Sequence, residues 1–169
     1  MNAANRILLA GLILGASACA ADEPSPAEKA RAEEADIAAV KAAQQPPPTP
    51  VTPDTIGYPE IEKHDMFGAG CSFAPGQSIA AIALAQPARA FMKIDGEIET
   101  FAPDAGSGEL PLGVRGKYTG GAWSFVLDIA AGEGKPSGSE GVNYPARFIL
   151  RNDRDQIVYN ATGTAQCGS

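Results

Sequence analysis

The clearest structural signal in the chain is the run Trp123-Ser124-Phe125-Val126-Leu127-Asp128-Ile129, in which large apolar residues occupy every second position. Successive side chains of a β-strand point to opposite faces, so the odd-numbered residues of this run would share one face. This period of two predicts a strand with one face in the core and the other in solvent. The run therefore favours an antiparallel β fold built from the segments on either side of it.

Three hairpins are predicted around this run. The pair Asp95-Gly96 separates residues 91–94 from residues 97–101, and an Asp-Gly pair between strand-forming segments is typical of a type I′ turn, which needs positive φ at both positions. The other two predicted hairpins join residues 115–118 to the Trp123 run across Thr119-Gly120-Gly121, and residues 147–151 to residues 156–159 across residues 152–155.

The remaining segments complete a small domain. Residues 78–85 are apolar and bounded by Pro75-Gly76 and Gln86-Pro87, and we expect a further strand there. The glycine-dense residues 104–108 and 132–141 are expected to be mobile surface loops. Seven or eight short strands with glycine-rich turns predict an all-β domain, a small antiparallel sandwich or barrel, over residues 56–169.

The amino-terminal residues follow an export pattern. Arg6 precedes an apolar run over residues 7–14, which has the length of a signal-peptide core and is far shorter than the roughly 20 residues that span a bilayer. Small residues and then Cys19 follow. This order resembles a bacterial lipoprotein signal, although Ala16 stands where that family usually has Leu. The resemblance implies a signal peptide over residues 1–18 and lipidation of Cys19.

The same resemblance implies a location. Ala20 rather than Asp follows Cys19, which implies an outer-membrane lipoprotein that faces the periplasm and is anchored by palmitate and other acyl chains. Ordinary signal cleavage at a small-x-small site is the alternative, and it would release a soluble periplasmic protein.

Residues 19–55 are expected to carry the lipid and to link it to the domain. Ser25-Pro26-Ala27-Glu28 predicts a helix start with a capping box between Ser25 and Glu28, and helix-forming residues continue to Gln45. The proline-rich residues 46–53 favour an extended polyproline II segment. We therefore expect a short helical stalk followed by a semi-rigid spacer.

The chain has three cysteines, Cys19, Cys71 and Cys167. If maturation lipidates or removes Cys19, the other two remain in an oxidising compartment, and we expect them to form a disulfide. The bond would close a loop of about 97 residues. A reactive or metal-binding thiol pair is the alternative, but the sequence has no Cys-x-x-Cys spacing to support it.

The net charge of the chain limits which kinds of partner it can bind. The chain carries 13 basic and 20 acidic side chains, a net charge of −7, whereas binding to nucleic acid needs clustered basic residues. We predict no nucleic-acid partner. The expected partners are the membrane, through the lipid anchor, and a periplasmic or cell-wall protein or glycan.

The sequence has no motif for a phosphate loop, a zinc site, a dinucleotide or a serine nucleophile, so we predict no catalytic residues, no cofactor and no metal. Glu60, Glu62 and His64 would share a face if their segment were extended, as in a metal site. A hydrolase would need acidic or histidine side chains in one cleft, and the candidates are His64, Glu97, Glu99 and Asp128.

A second resemblance concerns the domain. Cys71 and Cys167, with Ser139-Glu140-Gly141-Val142-Asn143-Tyr144 between them, resemble the pattern of the membrane-bound inhibitors of C-type lysozyme. Those proteins have a Ser-Gly-x-x-Tyr-type loop, whereas Tyr144 lies six residues after Gly138 here. The resemblance implies inhibition of a cell-wall hydrolase. Our ligand-binding candidates are Tyr118, Tyr144 and Ser139.

These patterns predict a lipid-anchored envelope protein whose β domain has a non-enzymatic binding or structural role. Two alternatives come from other functional classes. One is an inhibitor of a cell-wall hydrolase, and the other is a weak hydrolase that uses carboxylates.

Overall fold

The structure, a computed structural model, describes residues 25–44 and 46–169. The chain divides into two compact units, Met1–Pro46 and Pro47–Ser169. The predicted signal peptide and the predicted lipidation site Cys19 lie outside the described residues.

The first unit contains helix α1 (Pro26–Gln44). Its start is capped as the sequence predicts: the Ser25 amide donates to Glu28 Oε2 at 2.7 Å, and the Glu28 amide donates to Ser25 Oγ at 3.3 Å. The pKa of the Glu28 carboxyl is lowered, first by hydrogen bonding from the Ser25 side chain and second by the bond from the Ser25 amide. The side chains of Ile37 and Val40 are exposed. The role of this helix as a stalk stays a prediction.

The second unit is an antiparallel β-barrel. Its strands are β1 (Gly70–Pro75), β2 (Ala83–Ala85), β3 (Ala90–Ile94), β4 (Glu97–Pro103), β5 (Lys117–Gly120), β6 (Trp123–Ile129), β7 (Lys135–Ser137), β8 (Gly141–Asn152) and β9 (Ile157–Gly168). Eight of them close in the order β6-β5-β4-β3-β2-β1-β9-β8, because β6 also pairs with β8. β7 is the extra strand and extends the edge of β8 at residues 141–143. The all-β prediction is confirmed, with the barrel as the architecture.

Aromatic rings fill the barrel. Phe148 stacks on Phe73 and on Phe125, in both cases with ring centroids 5.0 Å apart. Phe125 also contacts Tyr118 and Phe101, each at 5.1 Å. All five rings are buried. Such pairs contribute about 0.5–1.5 kcal/mol each beyond their buried area, so this cluster is the centre of the core.

The predicted alternation of the Trp123 run is confirmed in β6. Phe125 and Leu127 are buried, and Trp123 and Ile129 pack against the core from partly buried positions. Asp128, on the other face, is exposed. The run therefore has one face inside the barrel and one face outside.

The predicted hairpins form. Asp95 and Gly96 both have positive φ, 51° and 82°, and Ile94 pairs directly with Glu97, as a type I′ turn requires. β8 and β9 are joined near Asp155, which also has positive φ. The turn between β5 and β6 lies at residues 121–122 and so overlaps only the end of the predicted turn 119–121, because Gly120 still pairs with Trp123.

Two segments differ from the prediction. Only Ala83–Ala85 of residues 78–85 form a strand, and residues 78–82 are irregular. The predicted loop 132–141 contains β7, because Lys135–Ser137 pairs with the start of β8. The expected mobility of these loops stays a prediction.

The end of the proline-rich segment contacts the barrel. The Val51 amide donates to the carbonyl of Val158 at 3.0 Å, and Asp54 forms an isolated β-bridge with Lys93. Pro53 is buried. The barrel unit therefore includes residues that the sequence assigned to the linker.

A second apolar layer covers part of the outer wall. Helix α2 (Tyr58–Lys63) and the loop after it place Ile61 and Met66 over Phe91, and Leu84 and Ile98 complete this outer cluster. Strand β3 is consequently buried on both faces. This layer was not predicted, and it forms one side of the site described next.

Candidate functional site

A groove with a volume of about 470 Å³ lies on the outer wall of the barrel. Its floor consists of Ser72 on β1, Leu84 on β2 and Gln166 on β9, which are direct partners in the sheet register. One wall is the segment after α2, at Met66 and Gly68. The opposite wall is the turn between β7 and β8. The groove is therefore open to solvent and separate from the filled interior.

Gln86 holds the first wall. Its side-chain amide donates to the carbonyls of Met66 and Phe67, at 2.9 and 3.0 Å. Arg89 adds a bond from its guanidinium to the carbonyl of Asp65 at 2.6 Å. Three main-chain carbonyls of this loop thus have side-chain donors, and the wall has a defined position relative to β2.

The second wall is attached to β9. Gln166 Nε2 donates to Ser137 Oγ at 2.8 Å, and the Ser169 hydroxyl lies 3.4 Å from Glu140 Oε2. Gly141 allows the close approach of the turn, because a Cβ added there would lie 2.6 Å from the carbonyl oxygen of Ser137. The turn that carries Ser139 therefore stands against the carboxyl end of β9.

The three ligand-binding candidates have different positions. Ser139 is exposed and lines the groove. Tyr144 is half-buried and packs against the core cluster. Tyr118 is wrong as a candidate because its side chain is 0% exposed. Its hydroxyl donates to the carbonyl of Gln86 at 2.7 Å and accepts from the Arg115 amide at 2.9 Å, so it has a role in the core.

Two of the four hydrolase candidates share a cavity, and the other two lie elsewhere. His64 and Glu97 line a cavity of about 440 Å³ between α2 and the β3–β4 hairpin. Asp128 lines two other cavities, on the face formed by β6 and β8. Glu99 lies beside Gly121, at the β5–β6 turn. The four side chains are therefore distributed over three parts of the surface.

The metal-site geometry considered for Glu60, Glu62 and His64 is also wrong, because it required an extended segment. Glu60 and Glu62 lie in α2 and His64 is its carboxyl-terminal cap, so the three do not alternate on one face. Within residues 25–44 and 46–169, no three His, Cys, Asp or Glu side chains are grouped as metal ligands.

Glu60 has a structural partner instead. Its carboxylate accepts from Lys93 Nζ at 2.6 Å and from the Gly57 amide at 3.1 Å. The hydrogen bond from Lys93 is the largest cause of the lowered pKa of Glu60, and the same bond raises the pKa of Lys93. This pair joins α2 to β3 and so supports the outer layer beside the groove.

The predicted disulfide is present between Cys71 and Cys167. The two residues face each other across β1 and β9, and both are buried. Cys71 lines the base of the groove, so the disulfide lies directly beneath the site.

The comparisons with known proteins found no relative of this chain. No family model, curated protein or solved structure matches the chain. Among the described helices, none has the length and apolar character needed to cross a membrane.

Proposed function

We propose that this chain is an envelope protein, anchored through a lipid on Cys19 in the outer membrane and facing the periplasm, whose barrel is a non-catalytic binding module. The outer-wall groove supports this proposal. It combines an apolar floor residue, Leu84, with hydroxyl and amide groups, and such polar groups can fix the orientation of a ligand.

The construction of the groove also supports a binding role. Both walls are hydrogen bonded to the barrel, by Gln86 on one side and by the Ser137–Gln166 pair on the other. A site whose walls are fixed before the ligand arrives loses less conformational entropy on binding. The spacer formed by the proline-rich residues would hold this site away from the membrane.

Retention on isolated cell-wall sacculi and on solubilised envelope fractions tests the proposal. Ser72→Tyr places a ring on the groove floor and should abolish retention. Thr119→Tyr is the matched control, since Thr119 is exposed on β5 and lines none of the cavities described above. Equal retention of the two variants would contradict a role for the groove, and absence of any retained wild-type protein would contradict the binding function.

An inhibitor of a cell-wall hydrolase is the second candidate. The observation that favours it is the exposed β7–β8 turn, which presents Ser139 and the carboxylate of Glu140. Acidic loops of this kind are complementary to a basic enzyme cleft. The purified protein should then lower the turnover of a C-type lysozyme, and Glu140→Gln should weaken the inhibition. Unchanged turnover in excess protein would rule this candidate out.

A further inference from the structure

The groove continues beyond its first cavity. A second cavity of about 260 Å³ shares Ser72, Ser137 and Gln166 with it. The first cavity begins at Gly70 and the second reaches Ala74, so the two together follow β1 along its outer face. Four residues of a strand span about 13 Å. We refer to the two cavities together as the channel.

The chemistry of the channel is almost uncharged. Its polar side chains are hydroxyls and amides, and Glu140 is the one charged side chain among its lining residues. Hydroxyl and amide groups both donate and accept hydrogen bonds, as the hydroxyls of a sugar do. An anionic ligand would need Arg or Lys in the lining, and the net charge of −7 would repel it. The lining therefore matches a neutral ligand with many hydroxyl groups.

Thr164 and Ser78 bring two further hydroxyls to the second cavity. Thr164 is half-buried and Ser78 is exposed, so both side chains are within reach of a ligand. Asn143 also lines this cavity, but its side-chain oxygen is enclosed by protein atoms and lies out of a ligand's reach.

One end of the channel has an exposed apolar side chain. Ile79, in the loop between β1 and β2, is fully exposed and borders the second cavity. The C–H face of a sugar ring can pack on this side chain.

We propose that the channel binds a linear neutral glycan, with more than one consecutive sugar unit along β1 and with the Thr164 hydroxyl bonded to a sugar hydroxyl. This inference rests on the proposed function, since it assigns a ligand class to the same groove. The length of the channel favours a chain of sugars over a single sugar. Its nearly uncharged lining favours a neutral chain over an acidic polymer.

Isothermal titration calorimetry of the full purified protein tests the inference. The probes are β-1,4-linked N-acetylglucosamine and α-1,4-linked glucose oligomers, each from the monosaccharide to the hexasaccharide. In at least one series the affinity should rise with length and then level off when the channel is filled. Thr164→Val removes one lining hydroxyl at nearly constant shape. It should weaken binding of the longer oligomers about tenfold, as expected for one lost hydrogen bond of about 1.4 kcal/mol. Thr164→Ser keeps the hydroxyl and should retain more affinity than Thr164→Val.

A second variant separates binding from folding. Ile79→Ser changes a fully exposed residue, so the fold should be intact while the longest bound oligomer loses affinity. Thr119→Tyr is again the control and should bind as the wild type does. Absence of binding in both oligomer series, or an affinity that does not depend on oligomer length, would overturn the glycan inference. If the protein were still retained on envelope material through the groove, the proposed function would stand with a protein or peptide as the ligand.

Discussion

The Cys71–Cys167 disulfide gives the most quantitative prediction. It links β1 to β9 at residues that are 96 positions apart in sequence and direct partners in the sheet. In the chain-entropy model, a cross-link closing a loop of this length stabilises the folded state by ~4.7 kcal/mol. Domains are stable by about 5–15 kcal/mol in total. Breaking this bond should therefore remove a large share of the free energy of unfolding.

Urea unfolding of oxidised and reduced wild-type protein measures this effect without changing a side chain. Trp123, the single tryptophan, is half-buried at the start of β6 and reports unfolding by fluorescence. The free energy of unfolding of a small domain falls by about 1–3 kcal/mol for each molar of urea, so the unfolding midpoint should fall by about 2 M or more on reduction. Cys71→Ala/Cys167→Ala should behave like the reduced protein. Equal midpoints for the oxidised and reduced forms would refute the reasoning.

Four further predictions concern individual side chains. Tyr118→Phe removes the hydroxyl that bonds to the Gln86 carbonyl and the Arg115 amide. It should lower the free energy of unfolding by about 1–3 kcal/mol in urea titrations. Burial raises the pKa of Tyr118 and of Tyr159, so the free energy of unfolding of the wild type should fall as the pH rises above the ordinary tyrosine pKa of about 10. The fall should be smaller in Tyr118→Phe. Equal slopes of unfolding free energy against pH for the two proteins would contradict this. The bond from Lys93 lowers the pKa of Glu60, so the stabilisation of the fold by this pair is present above the unfolded pKa of about 4.3 and is lost as the pH falls through the lower folded value. Glu60→Gln should therefore make the free energy of unfolding less sensitive to acid. An unchanged acid profile would show that the pair does not stabilise the fold. Cys19→Ala should abolish palmitate labelling in cells, and labelling that persists would disprove the lipid anchor.

Local patterns in the sequence predicted much of the fold. Alternation located β6, and the Asp95-Gly96 pair fixed one hairpin together with its turn type, because these signals depend on residues close in sequence. The capping box at Ser25 and the cysteine pairing were predictable for similar reasons: each follows from the chemistry of a few named side chains. Tyr118 could also have been placed correctly, since it alternates with the exposed residues Lys117 and Thr119 on β5.

The outer layer and the channel could not be predicted in this way. α2 has six residues, too few to show a helical period, and its position depends on contacts with distant strands. The walls of the channel are held by Gln86 and Gln166, whose partners lie 20 and 29 residues away. Nothing in the neighbouring sequence distinguishes these two glutamines from other polar surface residues.

The most direct test of the central claim, that the outer wall of the barrel carries the binding site, is chemical-shift mapping by ¹H–¹⁵N NMR. Fragments of purified cell-wall glycan would be titrated into the labelled protein. The account predicts that the side-chain amides of Asn143 and Gln166 and the main-chain amide of Ser72 shift together and saturably, while Thr119 does not. Saturable shifts confined to residues outside the channel would contradict it.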